Sequence, residues 1–400
     1  MISYNEAYRL TLENISPLPT ESVPVSFALG RLTAKGLTAR VDSPSADVSL
    51  KDGFAIKSQD IARAAPHNPV HLQIVGQAAA GNPWEGSISS GEAVRILSGA
   101  MLIEGADAIL AEEFARVAGD HVIAFNDAVP GRNILHRGAD VHTGQVLAPA
   151  GECLRPTMLG LLAAAGYAEI AVVRRPLVAI LATGDEVVAP GRPLEPGKLY
   201  ASNLVTLAAW CQHFGFETTT QVLPDDSAKI RHELEANLEQ YDAILTSGGA
   251  WKGDRDLVAH LLDELGWQKI YHRIRIGPGK AVGFGLLGAK PIFCLPGGPP
   301  SNHIAFLELA LPGLQRLAGW SKPGLPLVAA EMAEEVKGQT DWTQFVHGRL
   351  ELRGQTLVFI STWKDTSRLS SMATSNAVAV IPEGTSQIPA GEKVIIQQFS

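Results

Sequence analysis

The sequence predicts a multidomain protein of the α/β plus β class, with a central three-layer α/β domain, a β domain inserted ahead of it and another β domain at the C-terminal end. Three observations predict this. Leu177-Val178-Ala179-Ile180-Leu181-Ala182 is a continuous apolar run that stops at Thr183-Gly184-Asp185-Glu186. Ala243-Ile244-Leu245-Thr246 is a second such run, and it stops at Ser247-Gly248-Gly249. Short apolar runs bounded by turn residues read as strands buried on both faces of a parallel sheet. Third, helical patterns lie between these runs, whereas alternating patterns lie before and after them.

The bulk properties fit that reading. At 400 residues the chain is long enough for several domains. A hydrophobic share of 46% with 18% charged residues suits a folded chain and excludes bulk disorder. No apolar stretch is long enough for a membrane helix, which takes roughly 18 residues, so no membrane partner is expected. Cys153, Cys211 and Cys294 are far apart with no CxxC pair, so reduced thiols in a cytoplasmic protein are expected. A net charge of −8 argues against nucleic-acid binding, so any anion site must draw on local positive charge.

In chain order, Met1 to Ile15 reads as an amphipathic helix with Ser3 and Glu6 at capping-box spacing, not as a signal peptide. A short extended piece (Glu21 to Ser26) and a second helix from about Ala28 follow. From Asp42 to Pro130 short strands alternate with turns: His71 to Val75, Ala93 to Leu97, Asp107 to Ala111 and His121 to Phe125. A helix is expected over Thr157 to Ala165, packed beside the first helix. The predicted domains are thus 1–41 with 131–175 as a first domain in two segments, 42–130 as the inserted β domain, 176–319 as the α/β domain and 320–400 as the C-terminal β domain. In the last, Phe345 to Leu352, Thr356 to Thr362, Ala377 to Ile381 and Lys393 to Gln397 read as strands.

Within the α/β domain, Ser202 and Asn203 read as caps of a helix from about Leu204 to Phe214. Pro224-Asp225-Asp226-Ser227 follows the strand Thr218 to Leu223 and caps a helix from Ala228; cap and ligand roles both stand open for this turn and for Ser202 and Asn203. Ligands bind such sheets beyond the carboxyl ends of the strands, where Gly-rich turns let a ligand approach the backbone. Four turns gather there: the Thr183 turn, Ser247-Gly248-Gly249 running on to Asp256, Gly277-Pro278-Gly279-Lys280 and Leu295-Pro296-Gly297-Gly298-Pro299-Pro300-Ser301-Asn302. The third follows a basic strand read over His272 to Ile276, and a long apolar helix is expected from about Asn302. Lys280 and Arg275 supply the positive charge that the bulk composition lacks. No P-loop is present.

These turns resemble the molybdopterin molybdenumtransferase family, which includes MoeA and the E domain of gephyrin. Thr183-Gly184-Asp185-Glu186 matches its TGDE, Ser247-Gly248-Gly249 through Gly253 to Asp256 its SGG turn, Pro278-Gly279-Lys280 its PGK, and Leu295-Pro296-Gly297 with Pro299 and Ser301 its LPG turn. Asp52-Gly53-Phe54-Ala55, Arg95-Ile96-Leu97-Ser98-Gly99-Ala100 and Asn133-Ile134 through Asp140 resemble motifs of its β-rich half. The sequence departs from the pattern at Val48, Lys51, Ala139, Trp251, Lys252, Gly277, Gly298 and Pro300.

The resemblance implies a molybdopterin-binding α/β domain, a barrel-like C-terminal domain and a cytoplasmic homodimer with its site shared between chains. It implies a transferase of molybdenum cofactor biosynthesis, which cleaves adenylyl-molybdopterin, inserts molybdate or tungstate into the dithiolene and releases AMP with Mg²⁺. The alternative is a divergent paralogue that binds a pterin or a partner protein without inserting metal. The implied catalytic positions are Asp52, Glu186, Ser98 and Asp140, with Asp185, Glu186 and Asp256 toward the metal. Thr183, Gly184, Asp225, Asp226, Ser247, Gly248, Gly249, Lys252, Lys280, Pro296, Gly297, Pro299 and Ser301 are toward the substrate. A transient contact with molybdopterin adenylyltransferase, which supplies that substrate, is expected as well.

Overall fold

The computed structural model describes residues 1–248, 257–362 and 368–399. Helices α1 (Tyr4–Glu13), α2 (Pro156–Ala164), α3 (Ser202–His213), α4 (Ser227–Gln240), α5 (Leu257–Glu264) and α6 (Pro299–Ala305) pack around three larger sheets. Among the described residues no helix is long and apolar enough to cross a membrane. Cys153, Cys211 and Cys294 are free thiols, and burial pushes Cys211 up to about 12.

The central sheet runs in the order Glu217–Leu223, Leu177–Thr183, Ala243–Ser247, Lys290–Leu295, Gly283–Leu287, Gln268–His272. Its first four strands pair in parallel and the last two join by antiparallel pairings, so only Gly283–Leu287 runs against the rest. The apolar runs are continuous because both faces are covered. Val178, Ile180 and Leu245 pack toward Leu204 and Leu207 of α3, while Ala179, Leu181 and Ile244 pack toward Ile230 of α4 and Val258 of α5. Helix, sheet and helix make the three expected layers. The register aligns Thr183 with Leu223, Ala182 with Ser247, and Ser247 with Leu295, so the turns after these strands share one edge.

The 42–130 region forms a separate six-stranded sheet in the order Ala108–Ala111, Gly53–Ile56, Glu92–Ile96, Val70–Ala78, His121–Ala124, Ala115–Ala118. At the other end, Thr343–Arg353, Thr356–Ser361, Leu327–Met332, Lys393–Gln398 and Ala377–Ile381 pair in a ring, because Ala377–Ile381 returns to Thr343–Arg353. The ring is a small closed barrel that leaves no free edge among its own strands. Ile274–Gly277 and then Ile2–Ser3 extend its sheet outward.

Four expectations are corrected. No helix starts at Ala28; a single 3₁₀ turn, Val25–Phe27, is followed by chain whose amides bond remote carbonyls, Gly30 to Leu154 and Thr33 to Glu152. Helix α2 does not pack beside α1. It lies in a small core with Leu37, Val141 and Ile170, whereas Ala7 of α1 is buried in the large core that contains Leu311 and Leu314. The basic strand over His272 to Ile276 is broken at Arg273, whose φ of 65° takes the chain out of one strand, Gln268–His272, and into another, Ile274–Gly277. Finally, the helix placed from Asn302 begins at Pro299.

Helix α6 runs on through one π turn, Phe306–Ala310, which holds a buried acid. Glu308 is 1% exposed; its Oε2 accepts from Tyr4 Oη at 2.7 Å and Gln397 Nε2 at 3.0 Å, while Oε1 has no partner. Burial pushes its pKa up to about 7, against the two hydrogen bonds that favour the anion. A folded pKa above the unfolded one near 4.5 gives stability that is full below pH 4.5 and lost as pH rises through about 7. The span corresponds to something on the order of 3 kcal/mol. Glu308→Gln removes the titration and keeps the shape. The stability of wild type relative to this variant, followed by urea melts from pH 5 to pH 8.5, is expected to fall with pH. A constant difference would show that Glu308 ionises at its ordinary pH.

Candidate active site at the carboxyl edge of the central sheet

The Leu177–Thr183 strand ends in a turn that only glycine fits. Gly184 has φ +141°, and a Cβ there would lie 2.7 Å from Glu186 Oε2, so the Glu186 carboxylate arches over bare backbone. Asp185 and Glu186 are both exposed, and Asp185 Oδ1 accepts the Asp225 N–H at 3.1 Å, tying this turn to the one after Leu223. Asp226 is occupied as the cap of α4, accepting from the Ala228 and Lys229 amides. The Asp225 carboxylate has no hydrogen bond among the described residues and remains available to a ligand.

Beside them, Gly248 has φ +100°, and a Cβ there would meet Thr183 O at 2.7 Å. Its amide donates to Leu295 O at 3.1 Å, which brings the turn after Leu295 alongside. Two side-chain amides fix that turn. Asn302 Nδ2 donates to Ser247 Oγ at 3.1 Å and to Pro296 O at 2.9 Å. Asn203 Nδ2 donates to the same Ser247 Oγ at 3.1 Å and to Gly297 O at 2.8 Å. Ser202 and Asn203 therefore do not cap α3: the helix already includes Ser202, its cap position is Ala201, and no side chain bonds there. Behind Asn302, Trp210 Nε1 donates to His303 Nε2 at 2.8 Å, and His303 Nδ1 lies 2.8 Å from His347 Nε2 on the barrel. Burial holds both imidazoles well below the usual histidine range, near 3 for His303 and 4 for His347, so this contact between α6 and the barrel is uncharged.

On the far side of the Pro296 turn lies a cavity of about 510 Å³, lined by Arg273, Gly277, Pro278, Lys280, Pro296, Gly298, Ser301 and Trp342, among others. Lys280 Nζ sits 4.9 Å from the Trp342 ring centroid. The ammonium is exposed, and among the described residues no carboxylate pairs with it. Arg275 instead forks onto Glu383 Oε1 at 3.0 Å and is spent on holding the strand to the barrel. Pro299 occupies the first turn of α6.

Asp52 and Ser98 meet in a different place. Ser98 N–H donates to Asp52 Oδ1 at 2.7 Å, and both line a cavity of about 530 Å³ with Lys51, Glu112 and Glu113. This cavity belongs to the 42–130 sheet, none of whose strands pairs with the central sheet. Asp140 is in neither cavity; its amide donates to Ser43 O at 3.0 Å and its carboxylate is exposed. Gly249, Lys252 and Asp256 lie outside the described residues. Among those described, no three His, Cys, Asp or Glu side chains gather around a metal position. Sequence reasoning missed Trp342, Arg273 and the bridging role of the two asparagines; Asn302 was part of a quoted motif, whereas nothing in the pattern marked Trp342.

Three family models match the chain: "MoeA N-terminal region (domain I and II)" over residues 2–166, "Probable molybdopterin binding domain" over 179–316 and "MoeA C-terminal region (domain IV)" over 329–399. A molybdopterin molybdenumtransferase of Haemophilus influenzae is 32% identical over 408 residues, covering 100% of this chain and 99% of the relative. Molybdopterin molybdenumtransferase 2 of Mycobacterium tuberculosis is 30% identical and covers 98% of both. The crystal structure of a molybdopterin biosynthesis moeA protein from Pyrococcus horikoshii OT3 superposes with a TM-score of 0.85 at 29% identity over 100% of both chains.

Proposed function

The chain belongs to the MoeA family of molybdopterin molybdenumtransferases, and from that premise we propose that it cleaves an adenylylated molybdopterin, inserts molybdate into the dithiolene and releases AMP. The observation that carries this reading is the sheet edge, where glycine turns after Thr183, Ser247 and Leu295 lie side by side and the last of them lines a cavity with an ammonium that no described carboxylate neutralises. A substrate with phosphates and a flat ring system needs both parts: glycine turns that phosphates can approach closely with a cation beside them, and an open wall for the ring.

In this reading Thr183, Gly184, Ser247, Gly248 and Gly297 form the floor under the phosphates, and Asp225 orients the substrate from the neighbouring turn. Lys280, Pro296, Pro299 and Ser301 shape the cavity side. Asp185 and Glu186 fit a magnesium ion, being adjacent exposed carboxylates, and such an ion takes one or two carboxylates and keeps its waters. Bound there, the ion would supply polarisation of the phosphoanhydride. Asp52, held toward its cavity by the Ser98 amide, orients the attacking oxygen, whether water or molybdate. Asp52 and Glu186 both remain candidates for the base.

The Asp52 cavity and the Glu186 turn belong to sheets that share no strand pairing, so we assign the complete site to two chains of a homodimer. Molybdopterin adenylyltransferase is the partner expected to deliver the substrate.

Purified protein incubated with adenylylated molybdopterin, Mg²⁺ and molybdate is expected to release AMP and form active cofactor, and a parallel run with tungstate sets the oxyanion preference. Binding without AMP release would favour the paralogue reading, for which the Gly277 and Gly298 departures in the cavity wall are the motive. Lys280→Ala is expected to weaken substrate binding, with a defect that grows as ionic strength falls, because attraction to an anion is least screened there. Equal affinities for variant and wild type across a salt series would remove Lys280 from the site.

A further inference from the structure

Trp342 reaches the cavity from the barrel, whereas Lys280 reaches it from the α/β region. Two neighbouring strands bring them together: Ile274–Gly277 leads into the Lys280 turn, and it pairs in parallel with the strand that begins just after Trp342, Ile276 opposite Thr343. The backbone turn that carries the indole is fixed: the Trp342 backbone N–H donates to Gln339 O at 3.0 Å, and the Gln339 backbone N–H donates to Gln344 Oε1 at 3.0 Å. The ring is half-buried and the Lys280 ammonium lies 4.9 Å from its centroid.

A lysine with four rotatable carbons wanders in solvent unless something holds it. A carboxylate would hold it and cancel its charge. An aromatic face holds it through the ring quadrupole and leaves the charge intact for an incoming anion. Building on the anion-cavity reading above, we propose that Trp342 is a positioning residue for the reaction, keeping the Lys280 ammonium in the cavity where it meets the anionic part of the substrate. The barrel thereby takes part in substrate recognition, and the residue acts through Lys280, without touching the reacting atoms.

The test compares Trp342→Leu, Trp342→Phe, Lys280→Ala and the Leu/Ala double variant in AMP release. Trp342→Leu is expected to raise KM about two- to fivefold with kcat changed less, the size of a cation–π contact at an exposed site. Trp342→Phe, which keeps an aromatic face, should recover most of that loss. In the Lys280→Ala background, Trp342→Leu should add nothing further. Losses that multiply in the double variant, or a Phe variant as impaired as the Leu variant, would overturn the proposal in favour of simple packing.

A second measurement does not depend on turnover. In protein carrying ¹³C-dimethylated lysines, the Lys280 signal, identified by its loss in Lys280→Arg, should be displaced by the indole ring current. It should revert to the free-lysine position in Trp342→Leu and move when inorganic phosphate is added. A Lys280 signal at the free-lysine position in wild type overturns the proposal. A displaced, phosphate-responsive signal in a protein that releases no AMP supports it and counts against the reaction class instead.

Discussion

Glu186→Gln is expected to give a protein that folds and melts as wild type does but releases AMP about 10²-fold more slowly or worse, the usual scale for one lost catalytic contact. Folding should be spared because Glu186 is exposed on a turn and its carboxylate rests over the Gly184 backbone, where it fills no core volume. Gln keeps that shape and removes only the charge. Asp52→Asn should behave alike: Asp52 Oδ1 accepts the Ser98 amide at 2.7 Å, and an asparagine oxygen can accept the same bond. Burst and steady-state AMP release, measured with melting curves on the same samples, separate lost chemistry from lost folding. Wild-type turnover in both variants would put the reaction elsewhere on the molecule.

The second large effect is a restoration. Asp52 belongs to the 42–130 sheet, and Glu186 to the turn after the Leu177–Thr183 strand. If each complete site takes one residue from each chain, a dimer of Asp52→Ala with Glu186→Ala has one doubly damaged site and one intact site. Two inactive homodimers should then yield a heterodimer with about half of wild-type activity, since closed twofold symmetry makes the two sites equivalent. Two affinity tags isolate the mixed species. An inactive heterodimer, from homodimers each shown to be folded, would put both residues in a site within one chain.

What could be read from the sequence was whatever local patterning decides. The buried parallel strands were visible because both faces of Leu177–Thr183 and Ala243–Ser247 are covered, and that leaves an uninterrupted apolar run. The turns at their ends were visible because Gly184 and Gly248 occupy positive φ. Distant partners were invisible. Ala28 and Leu32 have the i, i+4 spacing that suits a helix, yet the amides of Gly30, Thr33 and Ala34 bond carbonyls more than a hundred residues away. Arg273 has no local feature that announces a φ of 65°. Asn203 looked like a cap because asparagine favours that position, and its actual bonds to Ser247 and Gly297 depend on how three strands align. Trp342 entered the cavity by strand pairing alone.

The placement of α1 bears on how the chain is made. Tyr4 bonds Glu308, Tyr8 bonds Pro323 O at 2.8 Å, and Ala7 is buried in the core that Leu311 and Leu314 complete. All of those partners leave the ribosome some three hundred residues after α1. At roughly 5–20 residues per second, the apolar face of this helix waits on the order of 15–60 seconds before it can be covered. During that interval that face has no partner from its own chain, whereas the 42–130 sheet, whose pairings all lie within its own segment, can already be folded.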